Sequence, residues 1–361
     1  MFTFSSLPVV GSGPPPYDWI RYPNVGGLQV LSKGVGLFPT EPVGAMCDYV
    51  RLCETLGFDN VWFGDSQNIW RESSTVMGAA AVGTERIVFG TGVTNAVTRH
   101  PSLLASTWAT LAEFTGGRVA LGIGTGDSSL RTMGLKPQKL AELEESVKQL
   151  RALFRGEKVV EATSGADYHL NYLTGPLEIP VYIAASAPKI LRMSGRIADG
   201  VIVLVGTAPH FIEAALQTIE AGAAESGRSL SDLHIVLWTP TAIDDDRTEA
   251  RDLVRAHVSR VAIRPLPAKV EPALEKAIDR IRDSYNYYEH MNTEASHADL
   301  VPDELVDLFA LAGTREECAQ RLKEIEALGV DQVSIVPFVR PGQSRAATIR
   351  TFAEIVDGAG R

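Results

Sequence analysis

Short runs of β-branched and other apolar residues alternate with amphipathic helical segments along almost the whole chain. Apolar residues recur at helical spacing between these runs, for example over residues 43–56 and 137–154. Such alternation favours parallel strand–helix–strand units, and eight of these units close into a (β/α)₈ TIM barrel of the α/β class. The eight predicted strands cover residues 28–38, 60–64, 86–93, 118–123, 179–185, 200–205, 233–238 and 332–336.

A barrel with one large insertion accounts for the length of 361 residues. Residues 1–27 lack the alternation and predict an irregular lead-in, so the single barrel domain covers residues 28–361. Residues 240–312 predict a large helical insertion after strand seven, which we expect to form part of the substrate pocket. Residues 157–178 are also long for a connection and predict a small hairpin around residues 168–172. The insertion carries a cluster of large side chains, Tyr285, Tyr287, Tyr288, His290 and Met291.

Charge and cysteine usage narrow the class of protein. The formal net charge of −10 argues against nucleic-acid binding, which usually needs a basic face. The three cysteines, Cys47, Cys53 and Cys318, have neither disulfide nor metal-site spacing. No apolar run approaches the length that crosses a membrane. We therefore expect a cytoplasmic protein that acts on a small molecule, without a metal, nucleic-acid or membrane partner.

The ends of the predicted strands hold the candidate site, because barrel enzymes work at the carboxyl ends of their strands. Small and polar residues follow four neighbouring strands, so we expect one pocket wall. Small residues let a ligand approach the backbone, and amides at a helix N-terminus can bind an anion. The four loops are residues 65–67, 92–95, 124–128 and 185–188.

The order of motifs at these strand ends resembles the bacterial luciferase-like superfamily. Within it, the chain is most similar to methylenetetrahydromethanopterin reductase-like oxidoreductases, which use the deazaflavin coenzyme F420. The likeness covers about residues 28–238 and 313–357. It is carried by Asp65, Gly-Thr-Gly-Val-Thr-Asn over residues 90–95, Thr-Arg-His-Pro over 98–101, Gly-Gly-Arg-Val over 116–119, Gly-Ile-Gly-Thr-Gly-Asp over 122–127 and Ile-Ala-Ala-Ser-Ala-Pro over 183–188.

The resemblance implies an F420-dependent oxidoreductase that transfers a hydride between the cofactor and a small organic substrate. It places Asp65 and Ser66 beside the ring system, and it implies a cis peptide bond between Gly92 and Val93 behind the ring. The ring or its polyol tail would contact Thr94, Asn95, Thr125, Gly126 and Asp127. The phosphate would lie at a helix N-terminus formed by Ala185, Ser186, Ala187, Lys189 and Ile190.

One residue departs from the family pattern. Several of the deazaflavin enzymes have a histidine directly after the strand-two aspartate, where this chain has Ser66. The candidate catalytic residues are therefore Asp65, Ser66 and Asp127. Because a hydroxyl does not titrate near neutral pH, proton transfer needs Asp127, a histidine from the insertion, or water. The departure affects alcohol oxidation more than reduction of a C=N or C=C bond.

Two other functions fit the same strand ends. The first is an FMN-dependent monooxygenase, which would take reduced flavin from a separate flavin reductase and react it with oxygen. The second is a non-catalytic barrel that binds flavin. Cofactor binding and turnover distinguish the three functions.

Some of these residues also have purely structural interpretations. Asp65 is suited to capping the helix after strand two, and His100 precedes a predicted helix start. Arg99 is suited to a structural ion pair. Trp62 and Trp108 lie in apolar elements, which predicts packing in the core or at a dimer interface.

The resemblance also implies a homodimer built through the helices that follow strands two and three. We expect an apolar stripe on these helices that would be exposed in a monomer. The stripe consists of Val76, Met77, Leu103, Leu104 and Trp108.

Overall fold

The computed structural model describes residues 31–289, 292–293 and 295–359. The predicted lead-in over residues 1–27 and the insertion residues His290 and Met291 lie outside the described residues. The strands are β1 (Ser32–Leu37), β2 (Asn60–Phe63), β3 (Val88–Thr91), β4 (Thr94–Asn95), β5 (Val119–Gly124), β6 (Val159–Val160), β7 (Asp167–Tyr168), β8 (Val181–Ala185), β9 (Gly200–Val203), β10 (His234–Ile243), β11 (Leu311–Gly313) and β12 (Gln332–Pro337). The helices are α1 (Val43–Thr55), α2 (Ser73–Ala81), α3 (Pro101–Thr115), α4 (Ser128–Arg131), α5 (Leu140–Phe154), α6 (Pro188–Ile197), α7 (Pro209–Ala224), α8 (Arg247–Ala262), α9 (Pro272–Ser284), α10 (Asp303–Phe309), α11 (Arg315–Glu326) and α12 (Ala346–Ala359).

Eight parallel strands close into a barrel, which confirms the predicted (β/α)₈ fold. The order around the barrel is β1, β2, β3, β5, β8, β9, β10 and β12, and β12 pairs with β1 to close it. Gly34 lies opposite Asn60 on one side of β1 and opposite Ser334 on the other. Beyond β3, the short β4 continues the pairing with β5.

The strands are buried because the barrel core lies on one side of them and helices cover the other side. β1, β2, β3 and β5 are buried at every residue. Glycines inside the barrel make room for a large ring: a Cβ on Gly36 or Gly92 would lie 2.5 Å from the Trp238 ring. Trp62 and Trp108 are almost fully buried, as their core interpretation predicts.

The helix boundaries follow from capping chemistry. α1 is followed by Gly57, whose φ of 71° suits glycine. At the start of α3, the His100 ring accepts a hydrogen bond from the Ser102 amide, which confirms its structural interpretation. Glu72, and not Asp65, caps α2 by accepting hydrogen bonds from Ser74 and Thr75. The capping interpretation of Asp65 is therefore wrong.

The seventh predicted strand, over residues 233–238, corresponds to β10 and is longer than predicted. β10 runs on to Ile243 because its last residues pair with β11 and β12, so the insertion begins after residue 243 and not at residue 240. The insertion opens with α8, whose N-cap is Asp246. The long helix α5 begins at Leu140 and not near residue 137. The hairpin is present as the antiparallel pair β6 and β7, with its second strand at residues 167–168.

The predicted exposed stripe on α2 and α3 is wrong for four of its five residues. Val76, Met77, Leu104 and Trp108 are at most 2% exposed, because these faces of the two helices pack inside the subunit. Leu103, at 53% exposed, lies on the outer surface of α3. In the described ranges, none of the helices combines the length and apolar character needed to span a membrane.

Candidate active site

The carboxyl ends of the barrel strands open into a cavity. Its apolar lining comes from several strand ends and from the loop after β2. These apolar residues include Phe38, Trp70, Val93, Ala184, Ile202, Leu204 and Trp238. The polar lining comes mainly from the segments after β2, β3 and β5, and from α8 in the insertion. The cavity thus combines an apolar surface with a polar side, as a site for a large organic ligand requires.

The structure brings together eight of the residues proposed from the sequence. The peptide bond between Gly92 and Val93 is cis, as predicted. The eight residues that line the cavity are Asp65, Gly92, Val93, Thr94, Asn95, Thr125, Gly126 and Asp127.

The remaining proposed residues lie elsewhere. Ser66 is 1% exposed and its hydroxyl lies 3.1 Å from the hydroxyl of Ser128, the first residue of α4, and Ser66 is not part of the cavity lining. The predicted phosphate site lies at the end of β8 and the start of α6, also at the carboxyl ends of the strands but outside the cavity lining. Its residues are Ala185, Ser186, Ala187, Lys189 and Ile190.

Asp65 is held by one charged neighbour, Arg99, and by the hydroxyl of Thr94. Arg99 donates from Nε and Nη2 to the two carboxylate oxygens of Asp65 at 3.0 and 3.1 Å, and Thr94 donates to Oδ2 at 2.6 Å. Arg99 also donates to Glu72 at 2.7 Å. Burial alone would lower the pKa of Arg99, but Asp65 and Glu72 outweigh it and raise the pKa. Asp65 is therefore a fixed carboxylate at the edge of the cavity, and the structural ion pair predicted for Arg99 is present.

Asn95 organises the loop after β4. Its side-chain oxygen accepts hydrogen bonds from the amides of Val97 and Thr98 at 3.0 and 2.9 Å. Its Nδ2 donates to Ser129 Oγ at 3.0 Å. These contacts join the ends of two neighbouring strands and keep this polar side of the cavity in one shape.

Asp127 accepts hydrogen bonds from three arginines. Arg131 donates to Oδ1 at 3.3 Å and Arg264 to Oδ2 at 3.1 Å, and Arg260 also donates to Oδ2. Burial alone would lower the pKa of Arg260, but the negative charge of Asp127 outweighs burial and raises that pKa. Burial, and then the neighbouring Arg260, lower the pKa of Arg264 to about 10. Both guanidinium groups therefore stay charged at neutral pH. Their ion pairs with Asp127 connect the end of β5 to the insertion.

The insertion supplies cavity residues that sequence reasoning missed. His257, Arg260, Val261 and Arg264 line the cavity from α8 and the residues just after it. Their spacing of three to four residues places them on one helix face, which the sequence could have shown, but the spacing does not show that this face meets the cavity. His257 is 6% exposed and lies between the rings of Phe38 and Phe338, at centroid distances of 6.3 and 5.0 Å.

Two tyrosines of the predicted insertion cluster pack beside these arginines. The Arg260 guanidinium lies 5.9 Å from the centroid of Tyr285 and 5.8 Å from that of Tyr287. Arg131 lies 5.1 Å from the centroid of Tyr287. Burial raises the pKa of Tyr285, so its hydroxyl stays neutral. The two rings therefore make cation–π contacts with the arginines.

Parallel (β/α)₈ barrels with such a cavity at their strand ends carry out many different reactions. Comparison with known proteins therefore narrows the range of activities. Residues 25–332 match the luciferase-like monooxygenase family, and the chain belongs to that family, as its motifs predicted.

Three similar proteins have related names. A 5,10-methylenetetrahydromethanopterin reductase of Archaeoglobus fulgidus is 32% identical over 294 residues, covering 79% of this chain and 87% of the relative. An F420-dependent glucose-6-phosphate dehydrogenase of Beutenbergia cavernae is 34% identical over 224 residues, covering 57% of this chain and 66% of the relative. The structure of the coenzyme F420 dependent tetrahydromethanopterin reductase from Methanopyrus kandleri is similar with a TM-score of 0.75 at 25% identity, covering 92% of this chain and all of that one.

Proposed function

We propose that this protein is a coenzyme F420-dependent oxidoreductase that transfers a hydride between the deazaflavin and a small organic substrate. The observation that carries the proposal is the convergence of the cofactor residues expected at the ends of three strands around one cavity. The names of the F420-dependent relatives support the choice of cofactor.

The cavity fits a planar ring with polar substituents. Ala184, Ile202 and Trp238 offer apolar contact, while Asp65 and Thr94 offer polar contact at another part of the lining. Glycine backbone supplies space as well. A Cβ on Gly124 would lie 3.1 Å from Val93 Cγ2, inside this lining. When bound, F420 would supply the hydride chemistry, and the protein would supply binding and orientation.

The Asp65–Arg99 pair orients the polar side of the cavity. Because both oxygens of Asp65 accept hydrogen bonds from Arg99, the carboxylate cannot rotate without breaking the ion pair. A fixed carboxylate presents its remaining lone pairs to a ring N–H or a polyol hydroxyl in one direction. We assign Asp65 to cofactor positioning.

We assign proton transfer to His257. Ser66 occupies the position of the family histidine, and it lies outside the cavity lining. His257 lines the cavity from the insertion, and imidazole is the side chain best suited to exchange a proton near neutral pH. A proton held on its ring would reach the substrate atom that becomes more basic when the hydride is added.

The same proposal includes a cytoplasmic homodimer. Leu103 and Phe114 are 53% and 57% exposed on α3, and their spacing of eleven residues places them on one face three turns apart. This face is the apolar surface that a second copy would cover. Cys47, Cys53 and Cys318 are free thiols, as in a reducing compartment.

A hydride-transfer assay tests this function. The protein is mixed under anaerobic conditions with reduced F420 and a panel of acceptors with C=N or C=C bonds, and oxidised deazaflavin is followed by absorbance. One mole of deazaflavin oxidised per mole of acceptor reduced supports the proposal. Oxygen consumption with reduced FMN, without any turnover of F420, would assign the protein to the monooxygenases instead.

A further inference from the structure

We infer that the substrate carries an anionic oxygen group, a carboxylate or a phosphate, which binds Arg260 and Arg264 at the insertion side of the cavity. The inference rests on the proposed function, because it assigns this side of the cavity to the substrate of the same site.

Positive charge is in excess at this side of the cavity. Three guanidinium groups, those of Arg131, Arg260 and Arg264, contact the single carboxylate of Asp127. The other lining carboxylate, Asp65, is paired with Arg99. Within the described part of the chain, three arginines thus meet one carboxylate at this side of the cavity, although the whole chain has a net charge of −10. Such a local field attracts an anionic ligand.

The two arginines also retain hydrogen-bond donors. The Nε atoms of Arg260 and Arg264 are buried and donate to no acceptor within the described part of the chain. A buried donor without an acceptor is costly, so an acceptor that reaches it binds with a favourable energy. The planar guanidinium fork matches the paired oxygens of a carboxylate or a phosphate.

The aromatic neighbours hold the arginines in place before a ligand arrives. Arg260 is 7% exposed and packs beside the rings of Tyr285 and Tyr287. Its mobility is therefore already restricted, which lowers the entropy that binding would cost. The lowered pKa of Arg264 reflects its burial and then its cationic neighbour Arg260, and the negative charge of a bound anion would offset both effects.

The proposed anion site is separate from the expected phosphate site of the cofactor. The cofactor phosphate is proposed at the start of α6, which follows β8, whereas Arg260 lies on α8, which follows β10. β9 lies between these two strands in the barrel. The cavity can therefore receive an anionic substrate at α8 while the cofactor phosphate lies outside the cavity lining, at α6.

Calorimetric titration tests the inference with defined probes. Inorganic phosphate and sodium acetate are titrated separately into the protein, with and without saturating F420, at ionic strength held constant with NaCl. We expect saturable one-site binding of at least one probe, and the stronger probe distinguishes a phosphate from a carboxylate substrate. Arg264→Gln and Arg260→Gln should each weaken it by about tenfold or more.

Two further variants separate a specific site from a general charge effect. Arg155→Gln removes the same charge from an exposed arginine that pairs with Glu157 outside the cavity, and it should bind the probe like the parent. Asp127→Asn removes the competing negative charge but keeps a side-chain oxygen that accepts hydrogen bonds from the arginines, so it should tighten binding of the probe. Arg264 is partly exposed, so its variant reports on the site even where Arg260→Gln does not fold.

The outcomes distinguish this inference from the proposed function. Equal probe binding by the parent and by Arg264→Gln, or no saturable binding by the parent, would overturn the anion site. Absence of F420 binding would overturn the proposed function alone, since the titration without F420 still decides whether the anion site exists.

Discussion

Asp65 and Asp127 line the same cavity but have different partners. Asp65 is paired with Arg99 and Thr94 next to the barrel, whereas Asp127 is paired with arginines of the insertion. Asp65 is therefore held in one position on the barrel, and the ion pairs of Asp127 hold the insertion in place relative to the barrel. His257 lies on the same helix as Arg260, so its position depends on the contacts of Asp127.

Replacement of His257 separates proton transfer from cofactor binding. We expect His257→Asn to lower the turnover number in the hydride-transfer assay by about 10²-fold or more, because asparagine cannot carry the proton. F420 affinity should stay within about threefold of the parent, since the proposed cofactor contacts lie on other strand ends. Stopped-flow absorbance and a fluorescence titration measure the two quantities. Unchanged turnover in the variant would contradict the assignment.

Ser186 tests the proposed phosphate site. Ser186→Asp should weaken F420 binding by about tenfold or more, because a carboxylate beside the start of α6 repels a phosphate and competes for the same amides. Ser186→Asn is the matched control, with a similar shape and no charge. A fluorescence titration of both variants gives the comparison, and equal affinities for F420 would place the phosphate elsewhere.

Sequence could predict the strand-end residues but not the residues on α8. The glycines and small polar residues of positions 92–95 and 124–127 follow recognisable strands, so their convergence follows from barrel geometry. His257, Arg260 and Arg264 lie in the insertion, outside residues 28–238 and 313–357, over which the sequence motifs resemble the family. Only the path of the chain after β10 shows that this helix returns over the cavity.

Among the structural elements, β3 and β5 determine the shape of the site. Thr91 donates from its hydroxyl to the Gly122 carbonyl at 2.6 Å, just before the cis bond at Gly92–Val93. The two strands approach so closely that a Cβ on Gly122 would lie 1.8 Å from the Thr91 carbonyl oxygen. A larger residue at position 122 cannot fit without separating the strands.

A pair of glycine substitutions tests this close approach. Gly122→Ala should destabilise the protein by about 2 kcal/mol or more, because backbone must move to admit the methyl group. Gly44→Ala, in the first turn of α1 with no atom within 4 Å of the added Cβ, should be neutral or slightly stabilising. Urea unfolding followed by circular dichroism measures both changes. Equal stability of the two variants would show that the strands are not packed as described.

Element boundaries were harder to predict than element types. Hydrophobic runs identify β10, but its continuation through Pro240 to Ile243 depends on pairing with β11, a strand that lies about seventy residues further along the chain. The faces of α2 and α3 were misassigned for a related reason. Both faces of these helices carry apolar residues, so periodicity alone does not show which face meets the barrel.

For the molecule as a whole, alternation of strands and helices was sufficient to predict the closed barrel, because few folds satisfy eight successive parallel units. Assembly is less constrained by the sequence. The expected dimer surface was an exposed apolar stripe, but four of its residues, Val76, Met77, Leu104 and Trp108, are buried within the subunit. Leu103 and Phe114 are exposed apolar residues that a second copy would cover instead. The proposed interface therefore lies on the outer face of α3.

Sedimentation analysis tests this interface. We expect the parent to be a dimer at micromolar concentration and the double variant Leu103→Asp, Phe114→Asp to be a monomer, because charges on an apolar interface oppose its burial. Val160→Asp, at an exposed apolar residue of β6, is the control and should remain a dimer. A monomeric parent would contradict the proposed dimer.

Use of coenzyme F420 by this barrel is measured by titrating the purified protein with F420 and, separately, with FMN, and following the fluorescence of each cofactor. We predict saturable binding of F420 at one site per chain, with FMN bound about a hundredfold more weakly or not at all. Tighter binding of FMN than of F420, or saturable binding of neither, would contradict the account.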